Sequence, residues 1–369
     1  MKILITGGAG FIGSHICDAL IARGDTVVVL DNLDPQIHAE RRAPSYLNPK
    51  VELIVGDVRD SEIVAKALTD VDAVIYNAAA VGVGQSMYQV NHYVDVNCRG
   101  AAVFWEAVIK SKQLKKIVLA SSMSIYGEGE YLDSNGKSVL AAARSGGQLA
   151  SKNWEMLGIN NQVLKPTATS ESKILEPASV YAITKRDQEE LFLTLGKAYN
   201  IPVIAFRYFN VIGSRQSLSN PYTGVAAIFC SRLMNQKPPL VFEDGQQLRD
   251  FVHVSDLVQA NLLALDDTKL QSEVFNIGSG YPINILALGQ QIAAALNSQI
   301  QPQLLNEARV GDIRHCFADI SKAERMLAYK PKFKIQDSLA ELIPWLASQQ
   351  AQDRVDNCYQ ELKKLDLLQ

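Results

Sequence analysis

A tyrosine and a lysine stand four residues apart in Tyr181-Ala182-Ile183-Thr184-Lys185, one turn along one face of a helix. A phenol titrates near about 10 in water, too high to serve as a base at neutrality. An ammonium group beside it lowers that value, as a positively charged ring would. With such help Tyr181 can take a proton from a hydroxyl and later return it. On its own this spacing is common, and a surface lysine beside a half-buried tyrosine gives the same pattern. A second cluster of hydroxyls, Ser121-Ser122-Met123-Ser124-Ile125-Tyr126-Gly127, follows an apolar run at 116–120. A serine at the carboxyl edge of a strand can donate to a carbonyl forming on a substrate. A hydroxyl turn that ends the strand would need the same residue.

These groups need a frame, and the amino-terminal segment supplies one. The β-like run Lys2–Thr6 enters Gly7-Gly8-Ala9-Gly10-Phe11-Ile12-Gly13, and helical apolar spacing follows at 14–23. A strand-to-helix turn aims backbone N–H groups and the positive helix end at a phosphate. The spacing is G-x-x-G-x-x-G, with Gly13 allowing close packing of helix on sheet. Asp31 ends the next apolar run, 18 residues past Gly13. An acid there accepts hydrogen bonds from ribose hydroxyls and repels a 2′-phosphate, which favours NAD over NADP. Gly56-Asp57-Val58 closes a third run, where Asp57 could meet an adenine amino group or cap the helix that follows. Asn77-Ala78-Ala79-Ala80 closes a fourth. Small residues there let backbone approach a cofactor, and alanine packing alone would look alike.

Strands at 2–6, 26–31, 51–56, 73–76, 116–120 and 203–208 alternate with helices at 14–23, 97–112 and 181–199. Continuous apolar strands between helices predict a parallel sheet buried on both faces, a doubly wound Rossmann-type α/β fold. We expect residues 1–210 to form the dinucleotide-binding domain. A stretch at about 128–177, rich in Gly, Ser, Asn and Lys, interrupts it as an insertion. We expect a short helix near 149–157 there, and either a lid or a surface excursion. Residues 211–369 read mainly as a smaller α+β substrate lobe, with about 246–265 returning to the first domain. That lobe shows a helix at 225–235, strands at 240–243 and 249–254, a helix that Ser255 could cap, and an amphipathic helical tail at 337–369.

Composition bounds the function classes. The chain has 369 residues, 47% hydrophobic and 20% charged, with a net charge of −3. That is globular composition without a basic nucleic-acid footprint. No apolar run is long enough to span a membrane, and the first residues lack the pattern of a signal peptide. The five cysteines are dispersed without C-x-x-C, which argues against a disulfide framework or zinc site and for a reducing cytoplasm. The five histidines show no metal-ligand spacing, and His253 reads as structural.

Glycine loop, acid, serine strand end and Y-x-x-x-K, in this order, resemble the extended short-chain dehydrogenase/reductase family, which contains the nucleotide-sugar epimerases and dehydratases. The resemblance spans residues 1 to at least 346 and includes Asn97 with Gly100, Arg207-Tyr208-Phe209-Asn210-Val211, Arg249-Asp250-Phe251-Val252-His253 and Arg309-Val310-Gly311-Asp312. It implies a catalytic set of Ser122, Tyr181 and Lys185. It implies NAD held by Gly7, Gly10, Phe11, Ile12 and Gly13 at the pyrophosphate, and by Asp31, Asn32, Asp57 and Val58 at the adenosine. Ala78, Ala79, Asn97, Tyr208 and the Tyr181–Lys185 pair would line the remainder. It implies that Asn210 contacts the diphosphate of a nucleotide sugar, that Arg249, Arg309 and Asp312 hold phosphate or ribose, and that Met123 and Ser124 flank the sugar. Family members pair as homodimers through the helices that here carry Val103, Phe104, Val108, Leu191, Phe192 and Leu195. Core packing within one chain explains the same residues.

Positions 123 and 124 bear on the reaction. The family's dehydratases carry Asp and Glu there, whereas this chain has Met123 and Ser124. Neither replaces a carboxylic acid, so dehydration is disfavoured, and Ser124 also weakens a decarboxylase reading. What remains is oxidation of a ring hydroxyl and reduction from the opposite face, a 4-epimerisation without net redox change. The stretches 123–129, 219–225 and 311–315, with the long insertion, resemble the subgroup acting on dTDP-L-rhamnose. UDP-glucose/galactose or UDP-uronate 4-epimerisation is the alternative substrate class. A keto-sugar reductase and a non-catalytic NAD-binding sensor are the other readings.

Overall fold

Runs of Val, Ile and Leu with alternating faces build the central sheet. The computed structural model describes residues 1–111 and 114–368. Seven strands form one parallel sheet: β1 (Lys2–Thr6), β2 (Thr26–Asp31), β3 (Glu52–Val55), β4 (Ala73–Tyr76), β5 (Lys116–Ser122), β6 (Val203–Tyr208) and β7 (Glu273–Ile277), in the order β7-β6-β5-β4-β1-β2-β3. Successive side chains point to opposite faces. Ile3, Ile5, Val27 and Val29 therefore pack with Ile16, Leu20, Leu257 and Ala260 of the helices Phe11–Arg23 and Val254–Asp266. Leu4, Val28 and Leu30 pack on the other face with Val64, Phe104 and Phe192. This is the expected doubly wound fold. β7 joins its edge from a stretch assigned to the second lobe, because five residues between polar flanks carry little periodic signal.

Several expected boundaries move. The helix expected at 97–112 is continuous with a wide π-helical turn, Asp95–Arg99, followed by Gly100–Ser111; its last residue, Lys112, lies outside the described residues. Phe104 and Phe192 stack 5.6 Å apart inside the chain, so they are core residues. The strand expected at 240–243 stops at Val241, because Glu243 takes a left-handed φ of 53°. His253, not Ser255, caps the helix Val254–Asp266, its ring nitrogen accepting from the Ser255 N–H at 3.2 Å.

The insertion has a small antiparallel sheet of its own. Glu130–Leu132 lies between Ser138–Val139 and Lys165–Thr167, around the buried side chains of Tyr131, Met156 and Leu164. Strands of two or three residues are too short for an alternation to show. Its helix is Gly146–Ala150, earlier than expected, because the Ser145 hydroxyl caps it by accepting from the Gln148 N–H. The expected tail helix is two helices, Ile335–Leu346 and Val355–Lys364; the tail's final residue, Gln369, also falls outside the described residues. Asp353 and Asp356 bind the buried Arg232, which turns the chain between them. The final helix then lies against Tyr88 and Tyr222. Glu361 accepts from the Tyr88 and Tyr222 hydroxyls at 3.0 and 3.1 Å, and the Leu367 carbonyl accepts from the Val310 N–H.

Candidate active site

The glycine turn forms as its residues require. Gly7 has a φ of 68°, where a side chain would be strained, and a Cβ on it would come within 3.1 Å of the Ala78 nitrogen. A Cβ on Gly13 would lie 2.4 Å from the Gly7 carbonyl oxygen, so only glycine lets this helix start so close to the turn. Gly10 caps the helix without any side-chain acceptor, which leaves first-turn N–H groups, those of Phe11 and Ile12 included, free of a side-chain cap. A pyrophosphate suits that geometry. Asp31 ends β2 with a buried carboxylate that accepts from Ala9 N–H at 3.0 Å and Leu33 N–H at 2.9 Å. Each oxygen keeps lone-pair capacity for a hydroxyl donor. These residues fit the adenosine diphosphate half of NAD.

Asn32 and Asp57 meet at the rim, with the Asn32 amide donating to Asp57 at 3.1 Å. The Arg59 guanidinium grips the same carboxylate and holds it down to about 2. Asp60, not Asp57, caps the next helix. Val58 is buried against Gly100, whose Cβ would meet it at 2.8 Å. Ala78 borders the glycine turn, its N–H donating to Thr6 Oγ1. The backbone of Ala80, after Ala79, is bound at both N–H and C=O by the side chain of Asn97. That amide also donates to Thr184, so its bonds are internal and it acts on the crevice through residues 78–80.

Ser122 ends β5 and Tyr181 lies in the first turn of the helix Val180–Tyr199, which the Ser179 hydroxyl caps. Ser122 Oγ accepts from the Ser124 N–H at 3.2 Å and from the Ser124 hydroxyl at 2.9 Å. Its own proton is thereby left to donate, and a hydrogen bond from Ser122 favours the ionised form of the Tyr181 phenol. Burial works against that bond and raises the phenol overall. The expected direct lowering by Lys185 is not found. Its ammonium turns instead to the Ala120 carbonyl and to Gln188 Oε1, and burial pushes it down to about 7. Tyr208 pairs in register with Ser122 across β5 and β6, its hydroxyl accepting from Asn261.

The expected substrate residues divide. Asn210 Oδ1 is buried with no partner among the described residues, an acceptor open to a donor. Met123 packs half-buried beside Tyr126, Phe209, Cys316 and Ala318, while Ser124 faces Ser122. Arg249 donates to the carbonyls of Leu248, Ile313 and Arg314, so it also pins the 313–314 backbone. Arg309 and Asp312 bind each other through two bonds, at 2.8 and 3.2 Å, with the guanidinium 4.4 Å above the Phe242 ring.

Some participants escaped the sequence. Ser86 accepts from the Tyr181 N–H at 3.0 Å. Glu189 is buried with Arg207 and Ser121, and Arg207 reaches Tyr126. The acid one turn past Lys185, together with Arg207 in a quoted motif, was the available signal. The insertion carries Arg144 and Glu155 into a buried ionic cluster with Glu243, Asp244 and Arg314 of the second lobe. It is thus tied down beside the Arg309–Asp312 loop.

Comparison with known proteins agrees with this geometry. The model of the NAD dependent epimerase/dehydratase family matches residues 3–146 and 148–278. A dTDP-L-rhamnose 4-epimerase of Burkholderia thailandensis is 36% identical over 94% of this chain and 95% of its own. A putative UDP-glucose 4-epimerase of Methanocaldococcus jannaschii is 31% identical over 93% of this chain and 98% of its own. The solved UDP-glucuronic acid 4-epimerase of Bacillus cereus, in complex with UDP-glucuronic acid and NAD, superposes with a TM-score of 0.77 at 28% identity, covering 94% of this chain and 99% of that one. The chain belongs to the NAD dependent epimerase/dehydratase family, on the extended short-chain dehydrogenase/reductase fold.

Proposed function

We propose that this protein is a dTDP-L-rhamnose 4-epimerase, producing dTDP-6-deoxy-L-talose. The broader class, an NAD-dependent nucleotide-sugar 4-epimerase, is common to the relatives above. The observation that carries the choice of epimerisation is the pair at 123 and 124. A thioether packed in an apolar cluster and a hydroxyl bound to Ser122 stand where elimination of water would need carboxylic acids. The sugar rests on the 36% identity to the Burkholderia thailandensis enzyme and on Met123, whose apolar side chain tolerates a 6-methyl group.

Asp31, Gly7, Gly10 and Gly13 would hold NAD, with Asn32, Asp57 and Val58 toward its adenosine. NAD, when bound, supplies a two-electron acceptor that gives back what it takes. Tyr181 takes the proton from the 4-hydroxyl and returns it to the 4-oxygen, while the hydrogen on carbon 4 comes back to the opposite face. The Ser122 hydroxyl donates to the 4-oxygen as it becomes a carbonyl. Ser124 occupies the lone pairs of Ser122 and so aims that donor. The Lys185 ammonium favours the phenolate once it shares the site with the ring charge of the cofactor. Asn210, Arg249, Arg309 and Asp312 hold the nucleotide while the keto-sugar turns, and the Asn210 oxygen, which has no partner among the described residues, is the best-poised of them. Two copies pair through the helices Gly100–Ser111 and Val180–Tyr199, beside which Val90, Val94 and Ile183 are exposed.

The test is incubation with dTDP-L-rhamnose, UDP-glucose, UDP-glucuronate and UDP-N-acetylglucosamine without added NADH, read by proton NMR. A 4-epimer from dTDP-L-rhamnose, absent with Tyr181→Phe, is expected. A 4-epimer from a UDP-sugar alone assigns that sugar instead. NADH consumption with a 4-keto sugar, and no epimer, makes the protein a reductase.

A further inference from the structure

We propose that Gln188 is a positioning residue that holds the Lys185 ammonium in place and couples it to the backbone after β4. The inference rests on the reading of Lys185 as part of the reacting set. Gln188 is fully buried, one turn beyond Lys185. Its neighbours dictate its orientation. The ammonium can only donate, so it faces Oε1, at 2.7 Å; the Asn97 carbonyl can only accept, so it faces Nε2, at 2.8 Å. Reversing the amide would put donor against donor and acceptor against acceptor.

Each end of this bridge is anchored. Asn97 lies in the π-helical turn Asp95–Arg99, and its side chain grips both backbone groups of Ala80 and the hydroxyl of Thr184. Thr184 in turn donates to the Tyr181 carbonyl. A wide turn is a common device at functional sites, and here Asn97 offers its carbonyl to Gln188. At the other end, the Ala120 carbonyl of β5 takes a second ammonium proton. With two of three N–H bonds fixed, tetrahedral geometry fixes the third.

The two neighbours that the electrostatics of Lys185 involve are both engaged or neutral. Glu189, the acid next in the chain, spends both oxygens on Arg207 and Ser121. Cys98, from the π-helical turn, is held in its neutral thiol form by burial, with a pKa of about 12. The groups acting on the ammonium are therefore Glu189 electrostatically, with Cys98 neutral beside it and the Tyr181 phenol one turn away on the same helix, and Gln188 and Ala120 by direct bonds. Among the described residues Gln188 supplies the one side-chain acceptor, and without it a buried ammonium keeps a single carbonyl.

The test uses Gln188→Leu and Gln188→Glu in the full-length, NAD-loaded enzyme with whichever donor it epimerises. Gln188→Leu is expected to lower kcat about 10- to 100-fold with little change in KM, one lost polar contact being enough for that loss. It should also move the alkaline limb of the kcat profile to lower pH. Gln188→Glu should move that limb to higher pH, since a carboxylate favours the ammonium. Shifts in opposite directions support the positioning role. Unchanged limbs, or shifts in the same direction, overturn it, even if both variants melt earlier. The pH dependence of unfolding stability is measured in parallel, each variant alone and combined with Lys185→Met. If Gln188 acts through Lys185, its effect on that pH dependence vanishes in the Met background; an undiminished effect overturns the proposal. That cycle decides about Gln188 even if no donor is turned over, in which case the epimerase reading fails separately.

Discussion

Replacing Lys185 by Met should change how stability depends on pH, in a direction set by burial. The folded chain holds this lysine at about 7, against an ordinary value of 10.5. Between those values the unfolded chain keeps the proton and the folded chain releases it. The unfolded state therefore binds more protons, and wild-type stability rises with pH. The slope approaches about 1.4 kcal/mol per pH unit once the folded lysine is neutral. It is half that at pH 7, so the wild type should gain about 2 kcal/mol on the Met variant between pH 7 and pH 9. Lys185 is 3% exposed, so solvent screening does not discount the figure. Met is close in length, and other titrating groups cancel in the difference. Urea unfolding of both proteins at pH 6, 7, 8 and 9, at one protein concentration, reads it directly. A difference in stability that stays flat across this range would refute the reasoning, because Lys185 would then titrate as in water.

Three further outcomes follow from particular contacts. Asp31→Asn sets an amide donor against a backbone N–H and removes the charge that faces the ribose; NAD affinity by calorimetry should fall about 10- to 100-fold, from a loss of roughly 1.5–3 kcal/mol, with discrimination against NADP reduced. Arg144→Met removes one of the two guanidinium groups on the buried Glu243 carboxylate, leaving one oxygen without its donor, and should cost about 1–3 kcal/mol, seen as a lower Tm and faster proteolysis between residues 133 and 163; equal Tm would show that Arg314 alone neutralises Glu243. Ile183→Glu, at a half-exposed position, should turn a dimer into a monomer by light scattering without altering the far-UV spectrum, and a persistent dimer would move the interface elsewhere.

Local chemistry explains what could be read in the sequence. Gly7, Gly13 and Asp31 announce themselves because a turn that tight tolerates no Cβ and because the acid falls at a strand end. The strands of the central sheet are legible as buried runs, apart from β7, whose five residues carry no helix-strand rhythm around them. The insertion resisted reading because its sheet is held by strands of two and three residues and by charges that pair across long separations, Arg144 with Glu243 and Glu155 with Arg314. In the site, Tyr181 and Lys185 were visible by type and spacing and Ser122 through the family resemblance, but the direction of the lysine was not. Which acceptors a buried ammonium takes depends on Ala120 and Gln188, and a glutamine on a helix gives no hint that it is buried. The same holds for Arg249 and Arg309. Their motif marks them, while their present partners, a set of carbonyls and Asp312, emerge only from the fold.

The central claim is that one hydrogen leaves carbon 4 of the sugar and the same hydrogen comes back to its other face. Incubating the enzyme with dTDP-L-rhamnose in deuterium oxide, and reading the product by proton NMR, tests this most directly. The account predicts 6-deoxy-L-talose product with protium retained at carbons 3, 4 and 5. Deuterium at carbon 5 or carbon 3 would mean that a base removes a carbon-bound proton, and would contradict it.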